Sequence, residues 1–171
     1  QQRQQGPEPP AQRRNLGKLS NHKVFVDGQG EPWVYIVKAA VGAFNFDFKK
    51  NTLRVAATGG ADFRLSNNAV SAMISGPDGR IWIGTDHGGI NVLDKQSGSV
   101  VTLRSNPGDP RTISQNSIQA LYKDATGMIW AGTYKQGFCN YHENIFRFSL
   151  IRHLPGDPAS LPFDDVNVFA E

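Results

Sequence analysis

Apolar residues in this chain occur in short runs separated by turn-forming residues. Between positions 65 and 112 the apolar runs are AVSAMIS, IWIGT, GINVLD and SVVTLR, and the segments between them are GPDGR, DHGG and KQSG. Upstream, Phe44, Phe46 and Phe48 alternate with polar residues, which is the period of two expected of a half-buried strand. No segment repeats apolar residues at the helical period. The pattern predicts an all-β chain in which short turns join antiparallel strands in sets of four.

The same pattern returns at a constant interval of 48 residues. RIWIGTDHGGI at 80–90 is followed by MIWAGTYKQGF at 128–138, so that Trp82 and Trp130 are 48 positions apart. The phrases LSNNAV, ISQNSI and LPFDDV keep this spacing, and so do NPGDPRTIS and LPGDPASLP. A period of roughly 40 to 50 residues is typical of propellers and solenoids, in which each unit buries its apolar face against its neighbours.

The repeat divides the chain into successive units. We expect blade 1 at 19–64, blade 2 at 65–112, blade 3 at 113–160, and the start of blade 4 at 161–171. Residues 1–18 are rich in Gln, Arg and Pro, and we expect this tail to be disordered. The predicted fold is therefore a β-propeller of about three four-stranded antiparallel blades, plus the first strand of a fourth, which cannot close a ring of normal curvature.

Two details of this division are predictions about single strands. In blade 1 the residues from Val24 to Val26 predict a short buried strand, and blade 1 is degenerate because Tyr35 stands where the later blades have Gly84 and Gly132. In blade 4 the residues from Val166 to Phe169 predict the first strand.

Charge and cysteine content exclude several classes of function. The net charge of +3 arises in residues 1–18, because the rest of the chain has equal numbers of basic and acidic residues, and this argues against a nucleic-acid partner. Cys139 is the only cysteine, so it cannot form an internal disulfide, and its apolar neighbours predict a small buried side chain. No apolar run is long enough to span a bilayer.

The joint occurrence of D/GxxGxIWxGTxxxG, LSxNxV and PGDPxS in fixed order resembles the two-component regulator propeller repeats, most strongly over 65–162. The resemblance implies the periplasmic sensor domain of a hybrid two-component system histidine kinase. In that family, complete propellers of about seven blades precede a β-sandwich, a membrane helix and a kinase, and none of these later parts is in this sequence. The resemblance therefore implies a fragment of a larger receptor, or copies that associate.

Candidate ligand-binding residues lie where two kinds of connection share one end of each blade, namely the turn between strands two and three and the segment that leads into the next blade. Their amide, imidazole, phenol and ammonium groups suit hydroxyl-rich sugars through hydrogen bonds and ring stacking. An alternative role for the asparagines and the aspartate is to cap turns by bonding the backbone. The candidates are Asn68, Asp86, His87, Asn116, Tyr134, Lys135 and Gln136.

Neither a catalytic site, a metal site nor a cofactor is predicted. Asp109 and Asp157 each lie in a PGDP sequence, between its two prolines, which favours a rigid turn over a calcium loop. The four histidines show no metal-ligand spacing, and no phosphate loop or serine elbow is present.

The function that the resemblance implies is that of a non-catalytic, periplasmic (extracytoplasmic) sensor, and we expect it to recognise oligosaccharides released from a polysaccharide. Its expected partners are that ligand and either the remainder of a propeller receptor or another copy of the chain. We expect contact with a membrane only through C-terminal segments that this sequence does not contain. The alternatives are a propeller lyase of the streptogramin-lyase type, for which His87 and His142 are the candidate bases, and a purely structural or partner-binding propeller.

Overall fold

The computed structural model describes residues 21–142 and 145–169, with the side chains of 145–147 excepted. The predicted disorder of residues 1–18 concerns a segment outside this range. Within the described range the chain forms strands and no helix. The strands are β1 (His22–Val26), β2 (Pro32–Ile36), β3 (Ala43–Asp47), β4 (Thr52–Ala57), β5 (Phe63–Arg64), β6 (Val70–Ser75), β7 (Ile81–Thr85), β8 (Gly89–Leu93), β9 (Val100–Leu103), β10 (Ile118–Lys123), β11 (Ile129–Thr133), β12 (Phe138–His142) and β13 (Ile145–Ile151).

These strands form three separate sheets in chain order. Sheet 1 contains β1 to β5, sheet 2 contains β6 to β9, and sheet 3 contains β10 to β13. Within each sheet, every strand pairs antiparallel with the next, except that the two-residue β5 pairs parallel with β4 and adds a fifth strand to sheet 1. The described residues leave the three sheets as an open arc. The prediction of an all-β chain of propeller blades in an incomplete ring is confirmed.

Aspartates begin the turns at one end of the sheets, namely the turns that follow β1, β3, β6, β8 and β10. Asp27 accepts a hydrogen bond from the backbone N–H of Gln29 at 2.9 Å, and Asp94 accepts one from Gln96 at 2.8 Å. This contact between residues two apart is the Asx turn, which reverses the chain without a long loop. The same contact occurs at Asp47, Asp78 and Asp124.

Adjacent sheets pack face to face and bury Trp33 and Trp82 between them, whereas Trp130 of sheet 3 is half-buried. Trp33 of sheet 1 is fully buried and shares a core with Ile83 of sheet 2. Trp82 of sheet 2 shares a second core with Cys139 of sheet 3, and its ring centroid lies 5.2 Å from that of Tyr141. Removing such a side chain from a core costs about 3–5 kcal/mol. Burial of Cys139 agrees with its prediction as a small core residue, and burial raises the pKa of its thiol to about 11.

Glycine lets the inner strand of one sheet approach the preceding sheet. A Cβ atom on Gly84 would lie 2.7 Å from Cγ2 of Ile118, and a Cβ atom on Gly132 would lie 2.9 Å from Cγ1 of Val166. Ile118 and Val166 are 48 residues apart, as are the two glycines. Val166 therefore packs against sheet 3 in the same way as Ile118 packs against sheet 2.

The predicted first strand of blade 4 does not form as a strand. Residues 165–169 have no strand assignment, although Phe169 packs against Tyr122 and Phe138 with ring centroids 6.2 and 6.1 Å apart. A strand is defined by a hydrogen-bonded partner, and no described residue pairs with this segment. The segment thus packs against sheet 3 through its side chains, but the predicted strand is not formed among the described residues.

The prediction of a buried strand at Val24 to Val26 is wrong as to burial. The strand exists as β1, but Val24 is 67% exposed and Val26 is 59% exposed. Sheet 2 packs against the opposite face of sheet 1, to which Phe25 contributes. Described residues leave the face with the two valines uncovered, since successive side chains of a strand point to opposite faces.

A buried cluster of charges joins sheet 1 to sheet 2 at the end with the aspartate turns. Nζ of Lys95, in the turn between β8 and β9, contacts Oδ2 of Asp27 and lies 2.8 Å from Oε2 of Glu31. Oδ2 of Asp27 also accepts a hydrogen bond from Nε1 of Trp33 at 3.0 Å. Arg54 extends the cluster by contacting Glu31 at 3.0 Å. The cluster therefore fixes the position of one blade relative to the next.

None of the described segments is a helix of the length and apolarity needed to cross a membrane.

Candidate functional site

The candidate ligand-binding residues all lie at one end of the sheets, which we term the loop face. The loop face consists of the turns 37–42, 86–88 and 134–137 and of the lead-in segments 65–69, 113–117 and 161–165. It is the end opposite to the aspartate turns, because β2, β7 and β11 run from one end to the other. The structure thus brings the predicted residues to a common face.

Backbone hydrogen bonds tie each turn of the loop face to the lead-in segment that follows it in the arc. Gly89 N–H donates to Asn116 O at 2.8 Å, and Gly137 N–H donates to Asp164 O at 2.7 Å. Gly42 N–H makes the corresponding bond to Asn68 O at 2.9 Å. Each turn is consequently anchored to the neighbouring unit rather than only to its own sheet.

Three turns of the loop face hold a basic residue in the left-handed backbone region. The φ angles are 59° at Lys38, 64° at His87 and 57° at Lys135. A residue with a side chain pays a conformational cost in this region, so its occupation shows that the surrounding bonds determine the backbone. The three side chains occupy corresponding positions in three successive blades and are all exposed.

Asn68 and Asn116 have structural roles that the cap alternative anticipated. Oδ1 of Asn68 accepts a hydrogen bond from the N–H of Thr58 at 2.6 Å, and Oδ1 of Asn116 accepts one from Ser105 at 2.8 Å. Each amide oxygen therefore joins the end of one sheet to the lead-in segment of the next. The amide nitrogens and the second lone pair of each oxygen stay available for a ligand contact.

Asp86 and His87 interact within their own turn. Nδ1 of His87 lies 3.0 Å from Oδ1 of Asp86, and the His87 side chain is 80% exposed. The His87 backbone N–H donates to Oγ of Ser117 at 3.2 Å, which ties the turn to the lead-in segment of sheet 3. The imidazole is thus presented to solvent on a fixed backbone.

Tyr134, Lys135 and Gln136 form the corresponding turn of sheet 3, and all three are exposed. Nζ of Lys135 lies 4.9 Å from the ring centroid of Tyr134, which is a cation–π distance. Contact with Tyr134 raises the pKa of Lys135 above its usual value. This pair presents an aromatic face and a permanent positive charge side by side, which suits stacking of a sugar ring beside an acidic group.

Sequence reasoning missed a cavity beside the loop face that lies along the inner strands. This axial pocket has a volume of about 340 Å³ and is lined by residues of β1, β6 and β10 together with 167–169. Ser71, Gln119 and Asn167 contribute to its lining at intervals of 48 residues. The repeat itself was the available signal, since equal positions on successive inner strands must face the same axis.

Lys38 was also missed, although it corresponds to His87. Its Nζ donates a hydrogen bond to Oε1 of Gln119 at 2.7 Å, across 81 residues of sequence. The bond therefore connects the turn that follows β2 of sheet 1 to the inner strand of sheet 3. The sequence around Tyr35 in the first unit differs from the repeat of the later units, so the correspondence between Lys38 and His87 was not recognised from the sequence.

The two histidines considered for a lyase lie at opposite ends of the sheets. His87 is in the turn before β8 on the loop face, whereas His142 ends β12, which begins at the loop face with Phe138. Four residue steps of a strand span about 13 Å at about 3.3 Å per residue. These two side chains therefore do not converge on one catalytic site. Among the described residues, no group of three or more His, Cys, Asp or Glu is placed to hold a metal ion.

Comparison with protein families identifies the repeated units. The family model described as two component regulator propeller matches residues 64–87 and 112–135, which include the turns with His87 and Lys135. The chain carries two-component regulator propeller repeats. Each of the two matched repeats runs from the lead-in segment through the second strand into the turn of the loop face. No protein of curated function matches the sequence significantly.

Solved structures resemble these propeller repeats in fold. The extracellular domain of the hybrid two component system BT3049 from B. thetaiotaomicron matches with a TM-score of 0.59 and 21% identity, over 81% of this chain and 18% of that one. The corresponding domain of BT4673 matches with a TM-score of 0.56 and 21% identity, over 72% of this chain and 16% of that one. Virginiamycin B lyase from Staphylococcus aureus matches with a TM-score of 0.53 and 17% identity, over 80% and 42%.

The chain therefore spans less than a fifth of the two extracellular domains and less than half of the lyase. At these identities the likeness shows that the propeller repeats share the fold of both classes of protein.

Proposed function

We propose that this chain is part of the extracytoplasmic, ligand-sensing propeller of a hybrid two-component receptor, and that its ligand is an oligosaccharide. The observation that carries the proposal is the loop face, where matching turns of successive two-component regulator propeller repeats present exposed polar side chains on anchored backbones. The similarity in fold to extracellular domains of hybrid two component systems supports the location outside the cytoplasm.

Within this function the chain acts by binding and has no catalytic role. Ligand binding on the loop face would favour one arrangement of neighbouring blades, because each turn is bonded to the next lead-in segment. A ligand shifts such an equilibrium only by the difference between its affinities for the two arrangements. The remainder of the receptor, or a second copy of the chain, would receive that change and pass it on.

Isothermal titration calorimetry with neutral, uronic and sulfated oligosaccharides tests the proposal on the 171-residue chain. We expect one set to bind, and we expect Tyr134→Ala to weaken that binding at least fivefold through loss of ring stacking. Lys50→Met is the matched control, because Lys50 is exposed in the turn between β3 and β4 at the opposite end. Failure of all three sets to bind would contradict the saccharide ligand.

The lyase alternative rests on the similarity in fold to virginiamycin B lyase. The separation of His87 and His142 counts against it, since a general base and its partner must both reach the substrate. Incubation with a streptogramin B antibiotic followed by mass spectrometry decides the matter. We expect the ring of the antibiotic to stay intact; linearisation that is lost in His87→Ala would establish the lyase instead.

A further inference from the structure

The axial pocket has a lining that is polar near the loop face and bears positive charge. Its upper part is formed by the second residue of each inner strand, namely Lys23 of β1, Ser71 of β6 and Gln119 of β10, with Asn167 in the corresponding place beyond them. Lys23 is the only charged residue among the described residues of the lining. This part of the pocket therefore offers amide groups and a single ammonium group, whereas the Ser71 hydroxyl already donates to Gly84 O at 3.0 Å.

Lys38 adds a second ammonium group at the edge of this pocket. Its Nζ donates a hydrogen bond to Oε1 of Gln119, which belongs to the lining. A neutral amide oxygen is a weaker acceptor for an ammonium group than a charged oxygen, because charge-assisted hydrogen bonds are roughly twice as strong. An anionic group in the pocket would therefore compete well with Gln119 for Lys38.

Among the described residues, neither Lys23 nor Lys38 forms an ion pair with a carboxylate. Oδ1 of Asp86 pairs with His87, and Oδ1 of Asp164 accepts a hydrogen bond from the backbone N–H of His153. Lys38 thus bonds an amide group of the pocket, and Lys23 lies exposed in the same lining.

We propose that the axial pocket binds the anionic group of the ligand, a carboxylate or a sulfate carried by a sugar, through Lys38 and Lys23. Gln119 and Asn167 bind the adjacent hydroxyl groups, for which an amide provides both a donor and an acceptor. The proposal rests on the proposed sensing function and specifies its ligand as an acidic oligosaccharide. Because Lys38 belongs to sheet 1 and Gln119 to sheet 3, the anion also replaces a direct link between these two sheets.

Three probes of equal length test the proposal by calorimetry with the full chain: a tetrasaccharide of galacturonic acid, a sulfated chondroitin tetrasaccharide and cellotetraose. We expect at least one acidic probe to bind at least tenfold more tightly than cellotetraose and to lose affinity as sodium chloride is raised. The carboxylate and sulfate probes distinguish the two sources of the charge. Lys38→Met and Lys23→Met should each weaken the acidic probe about tenfold, and Lys50→Met should leave it unchanged.

The outcomes separate this proposal from the sensing function. Equal binding of cellotetraose and the acidic probes, or acidic binding that survives both lysine variants, overturns the anion pocket and leaves the saccharide sensor standing. Absence of binding by all three probes overturns both. Lys23 is exposed on a strand of regular geometry, so its variant keeps the test valid should Lys38→Met disturb the turn; circular dichroism of each variant checks the fold.

Discussion

Replacing Lys95 with methionine is expected to destabilise the contact between sheets 1 and 2 more than any exposed lysine substitution. The Lys95 side chain is only 8% exposed, and the Asp27 side chain is 3% exposed. Methionine removes the ammonium group but keeps most of the apolar stem, and so leaves Asp27 and Glu31 as buried carboxylates without their shared cation. Breaking a buried pair in this way typically costs about 3–5 kcal/mol.

We expect the cost to lie at the low end of this range, because each carboxylate keeps one partner in the variant. Arg54 remains bonded to Glu31 at 3.0 Å, and Trp33 remains bonded to Asp27 at 3.0 Å. We therefore expect the free energy of unfolding at pH 7 to fall by about 3 kcal/mol. Urea denaturation followed by tryptophan fluorescence measures it, with Lys50→Met as the control. A double-mutant cycle with Asp27→Asn isolates the coupling between the two side chains.

The effect of Lys95→Met should depend on pH in a defined direction. Burial raises the pKa of Asp27, but the hydrogen bonds from Lys95, Trp33 and the backbone outweigh it, so that the pKa lies below the usual 3.8. A lowered pKa means that ionised Asp27 stabilises the fold above the unfolded value, and that this contribution is lost as the pH falls through the folded value. The difference between wild type and variant should thus shrink below about pH 4.

A loss of less than about 0.5 kcal/mol at pH 7, which is typical of an exposed pair, would refute the reasoning. A difference that stays constant down to pH 2 would equally show that the charge of Asp27 is not the partner of Lys95.

Three further outcomes follow from the packing between sheets. Gly84→Ala places a methyl group 2.7 Å from Ile118 and should cost about 1–3 kcal/mol in urea denaturation, the usual range for overpacking. Trp33→Phe should lower the free energy of unfolding by about 1–3 kcal/mol more than Trp82→Phe does. The Trp33 substitution removes an indole N–H that bonds the buried Asp27, whereas Nε1 of Trp82 has no partner among the described residues. Cys139 should resist a thiol reagent at pH 7 until the protein unfolds, because burial raises its pKa to about 11.

The repeat in the sequence was enough to predict the sheets. Each phrase with Trp82 or Trp130 became the second strand of a sheet, and the glycine two positions later became the point of close approach to the next inner strand. Local patterns of this kind succeed because every unit is packed in the same way against its neighbour.

Burial in the first unit could not be read from its apolar residues. Val24 and Leu53 are as apolar as the core residues of sheet 2, yet both are largely exposed. Whether a face of a sheet is covered depends on what lies beside it, and a single strand carries no information about its neighbour sheet.

The candidate site was predicted as a face but not as a pocket. Residues of the loop face were located from the order of strands and turns, because that order decides which connections share an end. Lys38 and Gln119 are joined across three sheets, and such a contact depends on the curvature of the arc. The ligand roles of the seven residues named from the sequence stay predictions, with two asparagine oxygens already bonded to the backbone.

The bonds from Gly42, Gly89 and Gly137 to the neighbouring lead-in segments use only main-chain atoms. Substitutions at the tips of these turns can therefore alter chemical specificity without disturbing the joints between units. Under the proposed function, a change of ligand therefore needs substitutions at only a few tip side chains, and descendants inherit the main-chain joints between units unaltered.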